Sequence, residues 1–193
     1  LTKKRAQRPD WTQKISLAVS WASTNPQLLD GLAKLHPPEE TLIHLDHWRT
    51  DPYDINYPAY DPTPATRAYL EKARALGFKV IPHFNYFGCC KGNPLYAAIQ
   101  DWHVRDLVRN EPQGWFLPID WAGLDAQMAA DRARNQALGW VPPERAEKHP
   151  FYRLAYMHLG LTRWRRELED HLVGACDTLQ APGAFLDQVY HTW

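Results

Sequence analysis

A surplus of charge of either sign is missing from this chain. Its 193 residues carry 22 Lys plus Arg against 22 Asp plus Glu. No net field therefore draws it to nucleic acid or to an anionic membrane, and neither partner is expected. Nor does any stretch approach the ~18 consecutive apolar residues of a membrane span. Cysteine is scarce as well. Three residues, two of them adjacent (Cys89 and Cys90), make neither a disulfide framework nor a zinc-ligand spacing. No cofactor is expected. No signal peptide is visible and the chain opens at Leu1, which leaves the compartment open.

What is present is enough apolar residue for one core. Apolar residues make up 45% and charged residues 23%, an ordinary balance for a globular domain of this length. Residues 1–14 hold the one basic cluster, Lys3, Lys4, Arg5 and Arg8, and read as a solvated tail. Residues 15–193 read as a single domain. Nine Trp and nine Tyr stand out, several in apparent loops. Such residues suit flat amphipathic ligands, and equally a large aromatic core.

Four segments read as strands: Ile15–Trp21, Thr41–Trp48, Phe78–Phe87 and Ala184–Asp187. Helix signals separate them. Asn25-Pro26 opens a run with Leu28, Leu29, Leu32 and Leu35 at helical spacing, stopped by Pro37-Pro38. Thr63 caps a second helix that starts at Pro64 and ends before Gly77. A third starts at Thr162 and ends before Pro182-Gly183. Strands alternating with helices of this length predict an α/β fold with a parallel sheet. Pro82 is a blemish in the third strand, because it removes a ladder donor. An insertion at about 88–161 follows that strand. It predicts a helix over Asn93–Asp106, an extended piece at Trp115–Ile119, a helix over Leu124–Leu138 and a return segment over Lys148–Leu161. Long excursions at a strand's carboxyl end build binding surfaces.

Polar residues gather at the strand ends. The second strand ends in Asp46, His47, Trp48 and Arg49, the third in His83, Asn85 and Tyr86, the fourth in Asp187, Gln188 and His191. The carboxyl ends of parallel strands form the functional edge of such folds. Strand alternation puts His44 with Asp46, His83 with Asn85, and Phe185 with Asp187 on common faces. A barrel would aim Asp46, His83, Asn85 and Asp187 at one mouth.

The run "TLIHLDHWRTDPYDINYPAYDPTPATRAYLEKARALGFKVIPHFNYFG", followed much later by "AFLDQ", resembles glycoside-hydrolase-like (β/α)8-barrel proteins of the type that includes α-amylases, α-glucosidases and α-galactosidases. The resemblance implies the N-terminal half of a TIM (β/α)8 barrel, Asp187 as nucleophile on the fourth strand, and Asp46, His83 and Asn85 lining the sugar subsite. Trp48, Tyr86 and Trp193 are candidates for stacking on a sugar ring, and Arg49, Gln188 and His191 complete the wall. Where related sequences carry an Asn-Pro pair at the return of the insertion, "YMHLGL" puts His158 and Leu159. The implied partner is an oligo- or polysaccharide. The general acid of such an enzyme comes from a later strand, so the chain reads as a fragment, inactive alone. Exposed sheet edges then imply self-association or a missing C-terminal half. Two other readings stay open: a metal-dependent hydrolase built on His44, Asp46, His83 and Asp187 or His191, and a non-catalytic sugar-binding or assembly protein.

Overall fold

Apolar residues at alternate positions set the main sheet. In the computed structural model, which describes residues 8–50, 57–85, 88–90, 93–105, 107–108, 110, 114–116 and 152–187, β1 spans Leu17–Ala22, β2 Thr41–Leu45 and β3 Lys79–Asn85. The last strand, β7, is Phe185–Asp187. These four lie side by side in chain order, β1-β2-β3-β7, and every pairing is parallel. Pro82 is accommodated at a junction: the ladder to β2 ends there, opposite Leu45, and the ladder to β7 begins one residue later at His83.

Helices connect the strands. Helix α1, Pro26–Leu35, is capped by Asn25, whose side chain accepts from the Gln27 amide at 2.9 Å. Helix α2, Pro64–Leu76, starts where Thr63 Oγ1 accepts from the Thr66 amide at 3.0 Å. It stops where Gly77 takes φ +101°, a conformation that side chains resist. Buried Leu29, Tyr69, Leu70 and Ala73 pack with Ile43, Leu45, Val80 and Phe84 from the sheet. That core covers one face of the sheet. His44, His83, Phe185 and Asp187 occupy the other.

One strand prediction ran long. The second strand stops at Leu45 rather than Trp48, because His47 adopts φ +49° and turns the chain. The pairing survives one residue further, with the Asp46 amide donating to the Ala22 carbonyl at 2.9 Å. The third strand is described as far as Asn85; Tyr86 and Phe87 lie outside the described residues.

The insertion builds a second, antiparallel sheet from β4 (Gly88–Cys90), β5 (Gly114–Phe116) and β6 (Tyr152–Tyr156), in the order β4-β6-β5. The predicted helix over Asn93–Asp106 is shorter than expected. Helix α3 covers Pro94–Ile99, and a 3-10 turn follows at Gln100–Trp102, where Ile99 leaves helical φ/ψ. The return segment, predicted only to lead the chain back, is itself the central strand of this sheet. The predicted helix over Leu124–Leu138 lies outside the described residues. Helix α4, Thr162–Leu179, then runs to β7 and joins both cores. Its Trp164 and Leu168 pack with Cys89, Ile99, Ala155 and Met157, while Ala175 and Leu179 pack under the main sheet.

Candidate functional site

Four residues on the sheet face opposite that core make one connected group. Ser20 Oγ lies 2.9 Å from His44 Nδ1, and His44 Nε2 lies 3.0 Å from His83 Nδ1. His83 Nε2 in turn faces Asp187 Oδ2 at 3.8 Å. That last distance is electrostatic contact rather than a formed hydrogen bond. Strand geometry explains the meeting: β3 pairs with β7 so that His83 opposes Phe185 and Asn85 opposes Asp187. The Phe185 ring stacks on His44 with centroids 4.0 Å apart and on His83 at 5.5 Å, filling the floor beneath the polar groups.

Asp46 stands at the end of β2 and is ion-paired to His47 through Oδ2 and Nδ1. Burial pushes its carboxyl up, but the hydrogen bond and charge of His47, with His83 beyond, outweigh burial and hold it below the usual Asp value. Burial also pulls His83 down to about 4, against the opposing pull of Asp187 and Asp46. His44 is lowered for the same reason, desolvation, with both carboxylates again pulling the other way. At neutral pH both imidazoles of the centre are therefore neutral.

Ser20 and Trp21 belong to this group, although the sequence reading used neither. Regular alternation would send them to opposite faces. Instead β1 shifts register between Val19 and Ala22, and Trp21 takes φ +57°. Such a bulge turns consecutive side chains to one side. The Trp21 ring, 57% exposed, lies 5.2 Å from His44 and 5.1 Å from His83 between centroids. His83 and Asp187 are thus brought together, with His44 between them and β1, and the charge of Asp46 acts on both imidazoles.

Other expected residues sit differently. Trp48 is 1% exposed, donates from Nε1 to the His83 carbonyl at 2.8 Å, and packs edge-on against Phe84. It supports β3 from the helix side and turns no open face to a ligand. Arg49 is buried, with its guanidinium 4.0 Å over the Tyr57 ring and a hydrogen bond to the Ala59 carbonyl at 3.1 Å. Asn85 Oδ1 accepts from the Gly88 amide at 3.0 Å, and the Asn85 carbonyl accepts from Tyr60 Oη at 2.7 Å. These contacts fix the exit from β3. His158 lies in the turn entering α4, where Nδ1 accepts from the Gly160 amide at 2.9 Å. Tyr86, Gln188, His191 and Trp193 lie outside the described residues. Among the described residues, no three His, Cys, Asp or Glu side chains converge as a metal-ligand set.

No protein-family model matches the chain, and no curated protein matches it in sequence. Solved structures do match. Trehalose-6-phosphate hydrolase of Bacillus licheniformis superposes with TM-score 0.55 at 12% identity, over 93% of this chain and 36% of that one. The ligand-free cyclic α-maltosyl-(1→6)-maltose hydrolase of Arthrobacter globiformis gives TM-score 0.54 at 13% identity, over 97% and 47%. A maltogenic α-amylase, AmyB of Thermotoga neapolitana, gives TM-score 0.50 at 9% identity, over 89% and 38%. The fold is half of a TIM (β/α)8 barrel.

At these identities the likeness is one of fold. The chain spans less than half the length of each of these structures. In the half-barrel, β1, β2, β3 and β7 are four successive barrel strands, and the face carrying His44, His83 and Asp187 is the one that a closed barrel encloses. The second sheet is the excursion between the third barrel strand and its helix.

Proposed function

We propose that this half-barrel is a carbohydrate-active, glycoside-hydrolase-like protein whose ligand is an oligo- or polysaccharide, with Asp187 as the nucleophile in hydrolysis of an O-glycosidic bond. The observation that carries this reading is the meeting of Asp187 and His83 at the carboxyl edge of a parallel sheet, with Asp46 at the end of the neighbouring strand. A retaining glycosidase needs one ionised carboxylate to attack the anomeric carbon and one protonated carboxyl to release the leaving group, ~5–5.5 Å apart. Asp187 suits the first task, being partly exposed and faced by a neutral imidazole. Asp46 does not suit the second, because His47 keeps it ionised. We assign the acid to none of the described residues. Asp46 instead supplies negative charge where positive charge develops on the sugar ring.

The solved structures similar to this chain include a trehalose-6-phosphate hydrolase and a maltogenic α-amylase, which supports an α-glucosidic ligand. Titration calorimetry with maltooligosaccharides is expected to show binding that Asp187→Asn weakens. No heat at millimolar sugar would contradict the reading. Binding that is untouched by Asp187→Asn would favour a non-catalytic sugar-binding role.

The second part of the proposal concerns assembly. Among the described residues, β1 and β7 each leave one edge of the main sheet without a strand partner. Leu186 on β7 is 41% exposed. Such edges are covered by self-association or by further barrel strands.

A further inference from the structure

The ends of the hydrogen bonds around His44 and His83 fix their direction. A backbone amide only donates. The Trp21 amide approaches His44 Nδ1 at 3.5 Å, so this nitrogen is an acceptor, and it takes the Ser20 hydroxyl proton at 2.9 Å. A neutral His44 then carries its proton on Nε2 and donates it to His83 Nδ1 at 3.0 Å. A neutral His83 in turn carries its proton on Nε2, the atom that faces Asp187 Oδ2. Burial favours the neutral form of both rings.

We propose that Ser20, His44 and His83 form a one-way hydrogen-bond chain whose last N–H, on His83, faces the Asp187 carboxylate across 3.8 Å, with Ser20 as its ligand-facing terminus and the two imidazoles as positioning residues. Each donor points toward the carboxylate, and the Trp21 amide sets the direction. A reversed chain would set His44 Nδ1–H against the Trp21 amide and would turn an unprotonated His83 nitrogen toward the Asp187 carboxylate. Aligned bonds of this kind polarise one another and orient the final acceptor.

Ser20 gains a defined preference from this arrangement. Its proton is committed to His44, and the residue is exposed. Its remaining lone pairs therefore accept from a donor, such as a ring hydroxyl, and offer nothing to a carbonyl or carboxylate. Trp21 beside it supplies an exposed aromatic surface. The pair forms a contact for one polyol ring, placed by the bulge in β1. That ligand assignment rests on the carbohydrate reading; the hydrogen-bond chain does not.

Long-range proton–nitrogen NMR on the full chain with labelled histidine tests the inference at neutral pH. Both His44 and His83 are expected as Nε2–H tautomers. In Ser20→Ala the His44 Nδ1 resonance moves downfield toward an unbonded nitrogen, His83 Nδ1 follows by less, and Ser20→Thr restores both. An Nδ1–H tautomer at either ring, or spectra unmoved by Ser20→Ala, would overturn the chain. Maltose is then added. If calorimetry shows that it binds and His44 Nδ1 does not respond, Ser20 is not the ligand-facing end. If maltose does not bind, the carbohydrate reading fails, while the ligand-free spectra still decide the chain.

Discussion

His44 on β2 lies in register with Ile81 on β3, yet its Nε2 meets Nδ1 of His83, two positions nearer the carboxyl ends of the strands. Side chains that lean along the strands in this way carry polarity from the sheet interior to its rim. The rim is where Asp187 stands.

Acid should loosen this arrangement before it unfolds the rest. The folded pKa of His83 is about 4, against 6.5 for the free side chain. Between those values the unfolded chain binds more protons, so stability falls as pH drops, by roughly 3 kcal/mol when the descent is complete. The contribution is fully present above the unfolded value. Urea titrations at several pH values should show the slope, and His83→Gln should remove most of it. A wild-type midpoint that stays level over this range would contradict the buried neutral imidazole.

Trp48 should behave as a structural residue. Trp48→Ala empties a fully buried site and is expected to cost about 3–5 kcal/mol. Trp48→Phe keeps much of the packing but strands the His83 carbonyl, at about 1–2 kcal/mol. Chemical denaturation measures both. Sugar binding by a folded Trp48→Phe protein should be nearly that of the wild type.

Trp21 should show the opposite balance. Being largely exposed, it can be replaced by Ala with a change in stability below about 1 kcal/mol. Loss of the stacking surface should weaken sugar binding about tenfold. Calorimetry beside thermal melting separates the two effects. A large loss of stability with unchanged affinity would return Trp21 to the core.

Leu186 should mark a sticky edge. Sedimentation velocity across a concentration series is expected to show reversible association of the chain, and Leu186→Lys should shift it toward smaller species. Identical profiles for the two proteins would remove this strand from the contact surface.

Much of the half-barrel was legible because its signals are local. Thr63, Pro64 and Gly77 punctuate α2 where the residue chemistry says they should. Ile43 and Leu45 alternate with His44 as strand geometry requires. The site was legible only in part. Asp46, His83 and Asp187 follow from strand alternation, but Ser20 and Trp21 share a face through a bulge, and nothing in "LAVSWA" announces a shift of register. Trp48 departs from the face that alternation assigns it for a related reason. A positive φ at His47 ends the alternation, and the indole turns under the sheet to a backbone carbonyl. Interruptions of regular backbone are set by tertiary fit, which a residue pattern does not record.

Attack of Asp187 on an anomeric carbon, the step proposed above, can be trapped with an activated fluoro-α-glucosyl fluoride. Fluoride departs without protonation, so no general acid is needed for the first step. Intact-protein and peptide mass spectrometry should find one glycosyl adduct, on Asp187, absent from Asp187→Asn and reduced in His83→Gln. An unmodified protein after prolonged exposure, or an adduct on another residue with Asp187 untouched, would contradict the account.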